Sequence, residues 1–366
     1  MSRRPTFAQR SAPQPRRQLQ QLAVSCSSRQ CLFEQATRMA TTALPAPALE
    51  AWRLRAIHEL RSTFTELCEP FLAEGTRNAA RRERTMCKAF ETWLFSCRSA
   101  AMSDDWERRA LPIVPGMPAA GHDEALRRKL CLAGATAVQA EGVLDKLSTA
   151  ATKLAVVAEH VPETVTGSIV ESNCKDGMVT LVCAQQSVRC TSHHLVKLWA
   201  LHQAATRESK PCAVQWVRPR SGSCCPSVEP RVKAILANRQ FVTAVYCVLA
   251  RYLSLQGGSR RGGRMQVRHA TGVWLLPRAV TYLYQAALPP ACFRVLQQFG
   301  VSMECFASPL NCHFSRFCSA FADTDSAFGS VGSFFEFMPT SGLYEANPPF
   351  EKVLRSKLLA LPVSTR

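Results

Sequence analysis

The sequence predicts an α/β protein in which a helical part precedes a part that mixes strands and helices. Three observations carry this reading. Residues 48–68 set Leu49, Trp52, Ile57, Leu60, Phe64 and Leu67 near helical spacing. The dipeptide Asp176-Gly177 lies between runs rich in Val and Ile, the usual pattern of a β-hairpin. Residues 301–306 read as a strand that enters the turn Ala307-Ser308-Pro309-Leu310-Asn311.

With 366 residues there is length for two ordinary domains and a buried core. A hydrophobic content of 47% excludes a largely disordered chain. No apolar run reaches the ~20 residues that span a bilayer. The longest candidate, residues 273–293, is broken by Pro277, Arg278, Pro289 and Pro290. A soluble chain with no membrane partner is therefore expected. The seventeen cysteines are scattered and form no Cys-x-x-Cys pair. His193-His194 near Cys190 lacks the paired ligands of a zinc site, so reduced core thiols and no metal are expected.

The net charge of +18 is unevenly spread. Residues 1–45 carry seven Arg against Glu34 alone, and residues 207–278 carry thirteen Lys and Arg against Glu208 and Glu229. Residues 301–350 carry Arg316 against Glu304, Asp323, Asp325, Glu336 and Glu345, a balance of −4. Basic flanks beside a mildly acidic pocket suit a polyanion held outside and a cationic cofactor held inside. Anionic lipid would satisfy the basic charge equally.

Taken in order, residues 1–45 are rich in Arg, Ser, Gln and Pro and read as a disordered basic tail, with a mitochondrial transit peptide as the alternative. Residues 46–162 form the helical domain: Pro47 opens a first helix, residues 77–97 have a basic start and an apolar end, and Pro112, Pro115 and Pro118 mark a linker. An Ala/Leu-rich stretch, 123–160, follows and ends before Pro162. The run Arg81-Arg82-Glu83-Arg84 reads as a solvated helix face or an RNA contact.

Residues 163–298 form the third segment. The predicted hairpin pairs 166–172 with 177–184 around Asn173-Cys174-Lys175-Asp176-Gly177, and helices are expected at 192–205 and 238–255. Between Gly257 and Gly272 a Gly/Arg loop carries Arg260, Arg261, Arg264 and Arg268, suited to following RNA phosphates or else an insertion with no task. Pro289-Pro290 open a helix that ends at Gly300.

Residues 299–366 carry the chemistry, in Glu345-Ala346-Asn347-Pro348-Pro349-Phe350. The exocyclic amine of a base is a poor nucleophile because its lone pair is delocalised into the ring. It needs acceptors that hold its hydrogens and aim the lone pair at a methyl donor. The Asn347 amide oxygen and the Pro348 carbonyl can be those acceptors. Pro348 and Pro349 stiffen the loop beforehand, and Phe350 offers a face worth about 1–3 kcal/mol of base stacking. Two prolines after a strand can also simply end it.

The surrounding words are distinctive: Phe299-Gly300-Val301-Ser302, Glu304 through Cys312, Cys318-Ser319-Ala320-Phe321, Asp323-Thr324-Asp325, Phe328-Gly329-Ser330 and Ser341-Gly342. With Asn347-Pro348-Pro349-Phe350 they closely resemble the cap-specific adenosine N6-methyltransferase family, also called the phosphorylated-CTD-interacting-factor family. The resemblance implies a helical domain followed by a Rossmann-like methyltransferase domain. It implies S-adenosyl-L-methionine as cofactor, the capped mRNA 5′ end as substrate and a nuclear location. Because the Asn-Pro-Pro-aromatic loop also serves adenine N6-methyltransferases of DNA or internal RNA sites, those are the alternative substrates. It implies the phosphorylated carboxyl-terminal tail of RNA polymerase II as a further partner. On the same ground Phe306, Ala307, Ser308, Pro309, Asn311, Phe328, Gly329 and Ser330 are assigned to the cofactor, with Asp323, Asp325 and Glu336 as candidates for its ribose or amino group. Arginines of the family's helical region approach the capped RNA; Phe90-Glu91-Thr92-Trp93 resembles one such place, with Thr92 where an Arg is expected.

The chain departs from the family's pattern in two ways. Larger members carry a WW domain ahead of the helical part, whereas Trp52 and Trp93 lie 41 residues apart in helical contexts. Members also continue for roughly a hundred residues after the Asn-Pro-Pro-Phe motif, as a complete doubly wound domain would. The methyltransferase domain is accordingly expected to be incomplete at its carboxyl end, from a truncated gene model or in a homologue that binds RNA or polymerase without catalysis.

Overall fold

The computed structural model describes residues 46–72, 86, 89–91, 93–94, 120–159, 170–206, 228–256, 273–275, 288–337 and 342–347. The basic tail, the Arg81-Arg82-Glu83-Arg84 run, Thr92, the Gly/Arg loop with Arg260, Arg261, Arg264 and Arg268, and Pro348, Pro349 and Phe350 all lie outside the described residues.

Helix α1 (Pro47–Leu72) begins at the predicted proline and has two working faces. Trp52, Ala56, Ile57, Leu60, Phe64 and Cys68 join Met86, Ala89, Phe90, Trp93 and Leu94 in a helical cluster. Ala51 and Leu54, on the other side, enter the central core. The Ala/Leu-rich stretch 123–160 is two helices, α2 (Ala120–Leu132) and α3 (Ala137–Glu159). The break is at Gly134, whose φ of 113° suits glycine. There Ala135 N–H returns to the Leu130 carbonyl and Gly134 N–H to that of Cys131, which closes α2. Thr136 and Gln139 then exchange side-chain and backbone bonds as a capping box that opens α3.

The hairpin is present, with a shorter turn than expected. Strands β1 (Glu171–Lys175) and β2 (Met178–Cys183) are joined by Asp176-Gly177 alone, at φ of 51° and 71°. Asn173, Cys174 and Lys175 thus belong to the strand, because an Asp-Gly pair completes a two-residue turn by itself. A third strand, β3 (Gln186–Thr191), follows a second tight turn at Ala184-Gln185. β4 (Val273–Leu275) adds to β3 in parallel, giving the order β1-β2-β3-β4.

Helices α4 (Ser192–Thr206), α5 (Val228–Leu236) and α6 (Arg239–Gln256) pack on this sheet. Asn238 caps α6 by accepting the Phe241 N–H at 2.9 Å. Nearly every residue from Phe241 to Leu253 is buried, as expected for a helix apolar on all sides. α6 is the axis of the central core, which joins Val179, Leu181, Val188, Leu195 and Leu198 to Cys312, Phe317, Phe321 and Phe328. Packing is therefore continuous across the 298/299 division of the sequence.

After α6, Pro289 precedes α7 (Pro290–Gln298), and Gly300 at φ 92° turns the chain into β5 (Val301–Glu304). β5 pairs in parallel with β6 (Leu343–Glu345). Between them lie the short helix α8 (Ala322–Asp325) and a 3₁₀ turn (Ser326–Phe328). The described residues form a mixed helix and strand α/β protein. Among them no single helix is long and apolar enough to cross a membrane.

Candidate functional site

The site is laid out by four short segments running in one direction. β5 and β6 pair at Glu304 and Glu345, and the Cys305 N–H donates to the Glu345 carbonyl at 2.7 Å. On the other side of β5, Phe317 bridges in parallel to Glu304, and Ser330 in turn to Phe317. Carboxyl ends of parallel segments collect at one edge, where α/β sheets bind their ligands. That edge receives the 306–312 turn after β5, Ser319 after the 317–318 bridge, Ser333-Phe334-Phe335 after the 330–332 segment, and Asn347 two residues past β6. The sequence-predicted turn and Asn347 are therefore neighbours in the fold, on adjacent strands.

The turn is built to hold its shape. Ala307 N–H donates to Cys318 O at 3.0 Å, and Cys312 N–H to Ser308 O at 2.9 Å. Asn311 Oδ1 accepts both the Ser308 N–H (2.7 Å) and the Ser308 hydroxyl (2.9 Å). Ser308 and Pro309 are buried, while Phe306, Ala307 and Asn311 are half-buried. Asn311 is thus a brace for the loop. Two charged side chains secure it from outside: Lys197 of α4 donates from Nζ to the Leu310 carbonyl at 3.1 Å, and Glu304 Oε2 accepts the N–H groups of His313 (2.6 Å) and Phe314 (3.0 Å). Burial pushes the Glu304 carboxyl up to about 7, although those amides and Lys197 favour its ionised form.

The second predicted cofactor segment lies deeper. Phe328 is fully buried against His202 and Phe241. Gly329, at φ 101°, lies so close to the Ser315 carbonyl that a Cβ would come within 2.1 Å of its oxygen. The Ser330 hydroxyl bonds that of Ser319 at 2.7 Å. The ring of Phe328 faces the core, and this segment shapes the edge from beneath.

Asp323 and Asp325 have internal partners instead of a place at the edge. Arg251 of α6, 2% exposed, holds Asp323 at 2.7 and 3.1 Å and Glu50 of α1 at 2.5 to 3.2 Å. Burial opposes charge on Glu50, but Arg251 and Arg53 outweigh it and hold the carboxyl at about 2. Asp325 accepts the Tyr252 hydroxyl at 2.6 Å and the Thr324 hydroxyl at 3.0 Å, and burial pushes it up to about 7. These aspartates tie α1 and α6 to the segment beneath the site. Glu336 is exposed in the turn that follows Phe335.

Sequence reasoning missed Lys197, which stands in an ordinary helix 113 residues from its acceptor. It also missed Phe334 and Phe335, whose rings gather at 4.7 and 6.4 Å from Phe306. Their one signal was a pair of adjacent aromatics beside small residues. Among the described residues no group of three or more His, Cys, Asp or Glu could hold a metal ion. His194 Nδ1 instead pairs with the Thr191 hydroxyl at 2.9 Å, and every described cysteine is a free thiol.

Comparison with known proteins concerns this same region. Residues 233–361 match the family model described as the phosphorylated CTD interacting factor 1 WW domain. Among described residues that span holds helices and short strands, and its sequence has one tryptophan, Trp274. The chain is 31% identical over 209 residues to a Homo sapiens protein named mRNA (2′-O-methyladenosine-N(6)-)-methyltransferase, covering 57% of this chain and 23% of that protein. A Mus musculus protein of the same name is 31% identical over 209 residues, or 22% of its length. The aligned region thus spans less than a quarter of the curated relatives. Residues 233–361, which hold β5, β6, the braced turn and Asn347, are thus the part of this chain similar to the phosphorylated CTD interacting factor family.

Proposed function

We propose that this chain is an S-adenosyl-L-methionine-dependent methyltransferase that modifies the N6 amine of the 2′-O-methyladenosine next to the mRNA cap. The observation that carries the reading is the placement of the 306–312 turn and Asn347 at the carboxyl ends of adjacent parallel strands. The name printed for the relatives supports the reaction and the substrate. The residues present fit the cofactor: a braced turn at the carboxyl end of β5, and the acids Glu336 and Glu345 for a sulfonium.

When bound, the cofactor supplies an electrophilic methyl group. The protein's part is to orient the amine. Asn347 Oδ1 accepts one amine N–H and the Pro348 carbonyl the other, so the nitrogen lone pair faces the donor without a strong base. Phe350 stacks the target adenine, and the unpaired 5′ end avoids the cost of flipping it from a duplex. Arg260, Arg261, Arg264 and Arg268 follow the RNA phosphates. The described strands belong to a Rossmann-like domain, and the protein works in the nucleus, with the phosphorylated polymerase tail as a further partner.

The test is methyl transfer from labelled S-adenosyl-L-methionine to a short capped RNA that begins with 2′-O-methyladenosine. Asn347→Ala should nearly abolish transfer while S-adenosylhomocysteine still binds. Equal activity in the variant would sink the assignment, and equal activity on uncapped RNA would move the target away from the cap. The +11 balance of residues 207–278 favours one alternative, an RNA-binding homologue without catalysis. Salt-sensitive RNA binding with no calorimetric affinity for S-adenosylhomocysteine would establish that instead.

A further inference from the structure

Phe306, Phe334 and Phe335 form a cluster that the braced turn and Asn347 do not explain. The Phe306 and Phe334 centroids are 4.7 Å apart at 46°, those of Phe334 and Phe335 5.8 Å apart at 70°, and those of Phe306 and Phe335 6.4 Å apart at 73°. All three side chains are half-buried, unlike the fully buried Phe314, Phe317 and Phe328 nearby in sequence. Phe334 rests on Met303, Cys318, Val331 and Phe337, the small core beneath β5, and Tyr344 of β6 rests on the same core. The cluster is thus anchored on one side and open on the other, and it stands at the edge where the carboxyl ends converge.

We propose that Phe334, supported by Phe306 and Phe335, is a stacking platform for the adenine ring of the methyl donor. The inference rests on the methyltransferase reading above and assigns one part of its ligand to named side chains. A planar, sequence-indifferent π face is what such a platform offers. Charge decides which adenine it takes. Glu336, exposed beside Phe335 in the chain, and the half-buried Glu345 of β6 disfavour the phosphates that accompany every RNA base and favour an adenosine whose other end is cationic. Anchoring on Met303 and Cys318 fixes the platform to the same strand and bridge that set the turn, so ring and turn keep one spacing.

The experiment is isothermal calorimetry of S-adenosylhomocysteine and fluorescence anisotropy of a short capped RNA, each on the full chain. The proteins are the wild type, Phe334→Ala, Phe334→Trp and Asn347→Ala, with thermal melting to confirm folding. Phe334→Ala should weaken S-adenosylhomocysteine about tenfold, the order of one stacked base, with RNA affinity within twofold. Phe334→Trp should restore cofactor affinity, which a merely misfolded Phe334→Ala protein could not predict. Unchanged cofactor affinity in a folded Phe334→Ala protein overturns the platform while leaving the methyltransferase reading intact. Loss confined to RNA gives the ring to the substrate and also overturns it. A wild type with no cofactor affinity defeats both.

Discussion

The Cys305 amide donates to the Glu345 carbonyl at 2.7 Å, and this bond joins the two halves of the candidate site. The residues that follow it on one side, Phe306 to Asn311, form the turn. Those that follow on the other, Ala346 and Asn347, lead into the Asn-Pro-Pro-Phe motif. Forty residues separate Cys305 from Glu345, yet one ladder position sets their spacing.

The Arg251 guanidinium is shared by Glu50 and Asp323, so its removal leaves Glu50 with Arg53 alone and takes the buried counterion from Asp323. Arg251→Met should destabilise the protein by about 3–5 kcal/mol. Adding Asp323→Asn should recover much of the loss, because Glu50 keeps Arg53 as its counterion. Chemical denaturation of the single and double variants measures both. A double variant no better than the single would place the cost in packing.

Gly329 and Gly134 both have positive φ but differ in space. Gly329→Ala drives a Cβ to 2.1 Å from the Ser315 carbonyl oxygen and should cost about 2–4 kcal/mol. Gly134→Ala meets nothing within 4 Å and should cost about 1 kcal/mol, from backbone strain alone. Parallel thermal melts show whether the ordering holds.

Glu304 titrates at about 7 in the folded chain and 4.5 otherwise, so folding favours its protonated form. The stability it contributes is full below pH 4.5 and is lost as pH rises through about 7. Asp325 acts in the same direction, from 3.8 to about 7. His194, lowered to about 4 by burial, acts oppositely and loses stability as pH falls from 6.5. Because these trends overlap, the informative quantity is a difference. Glu304→Gln, which keeps an acceptor for the His313 and Phe314 amides, should gain stability over the wild type as pH goes from about 5 to 8. A melting-temperature difference flat with pH would contradict the assigned cause.

Lys197 supplies a charged donor to the Leu310 carbonyl from a buried position. Lys197→Met should cost about 2 kcal/mol, the range for a hydrogen bond to a charged group. Its signature is a looser turn: S-adenosylhomocysteine affinity should fall about tenfold, and Lys197→Arg should restore part of it. Loss of stability with cofactor affinity intact would make Lys197 structural only.

Local chemistry was enough to read several elements. Pro47, Asp176-Gly177, Asn238 and Pro289-Pro290 each impose φ, a turn or a cap on their own neighbours, so the starts of α1, α6 and α7 and the hairpin were legible. The Asn-Pro-Pro-Phe words carry the proposed chemistry in the same local way, and Pro348 to Phe350 lie outside the described residues. Gly134 with the Thr136 and Gln139 capping box carried an equally local signal for splitting 123–160, and it went unread.

What needed the folded chain were relations between distant residues. Asp323 and Asp325 looked available for a ligand until α6 brought Arg251 and Tyr252 to them. Lys197 became a brace, and Phe328 a core residue, only through packing across more than a hundred positions. The convergence of the turn and Asn347 on one edge follows from parallel pairing. Side-chain type constrains a residue's own backbone, but long-range pairing is selected by burial summed over the whole core.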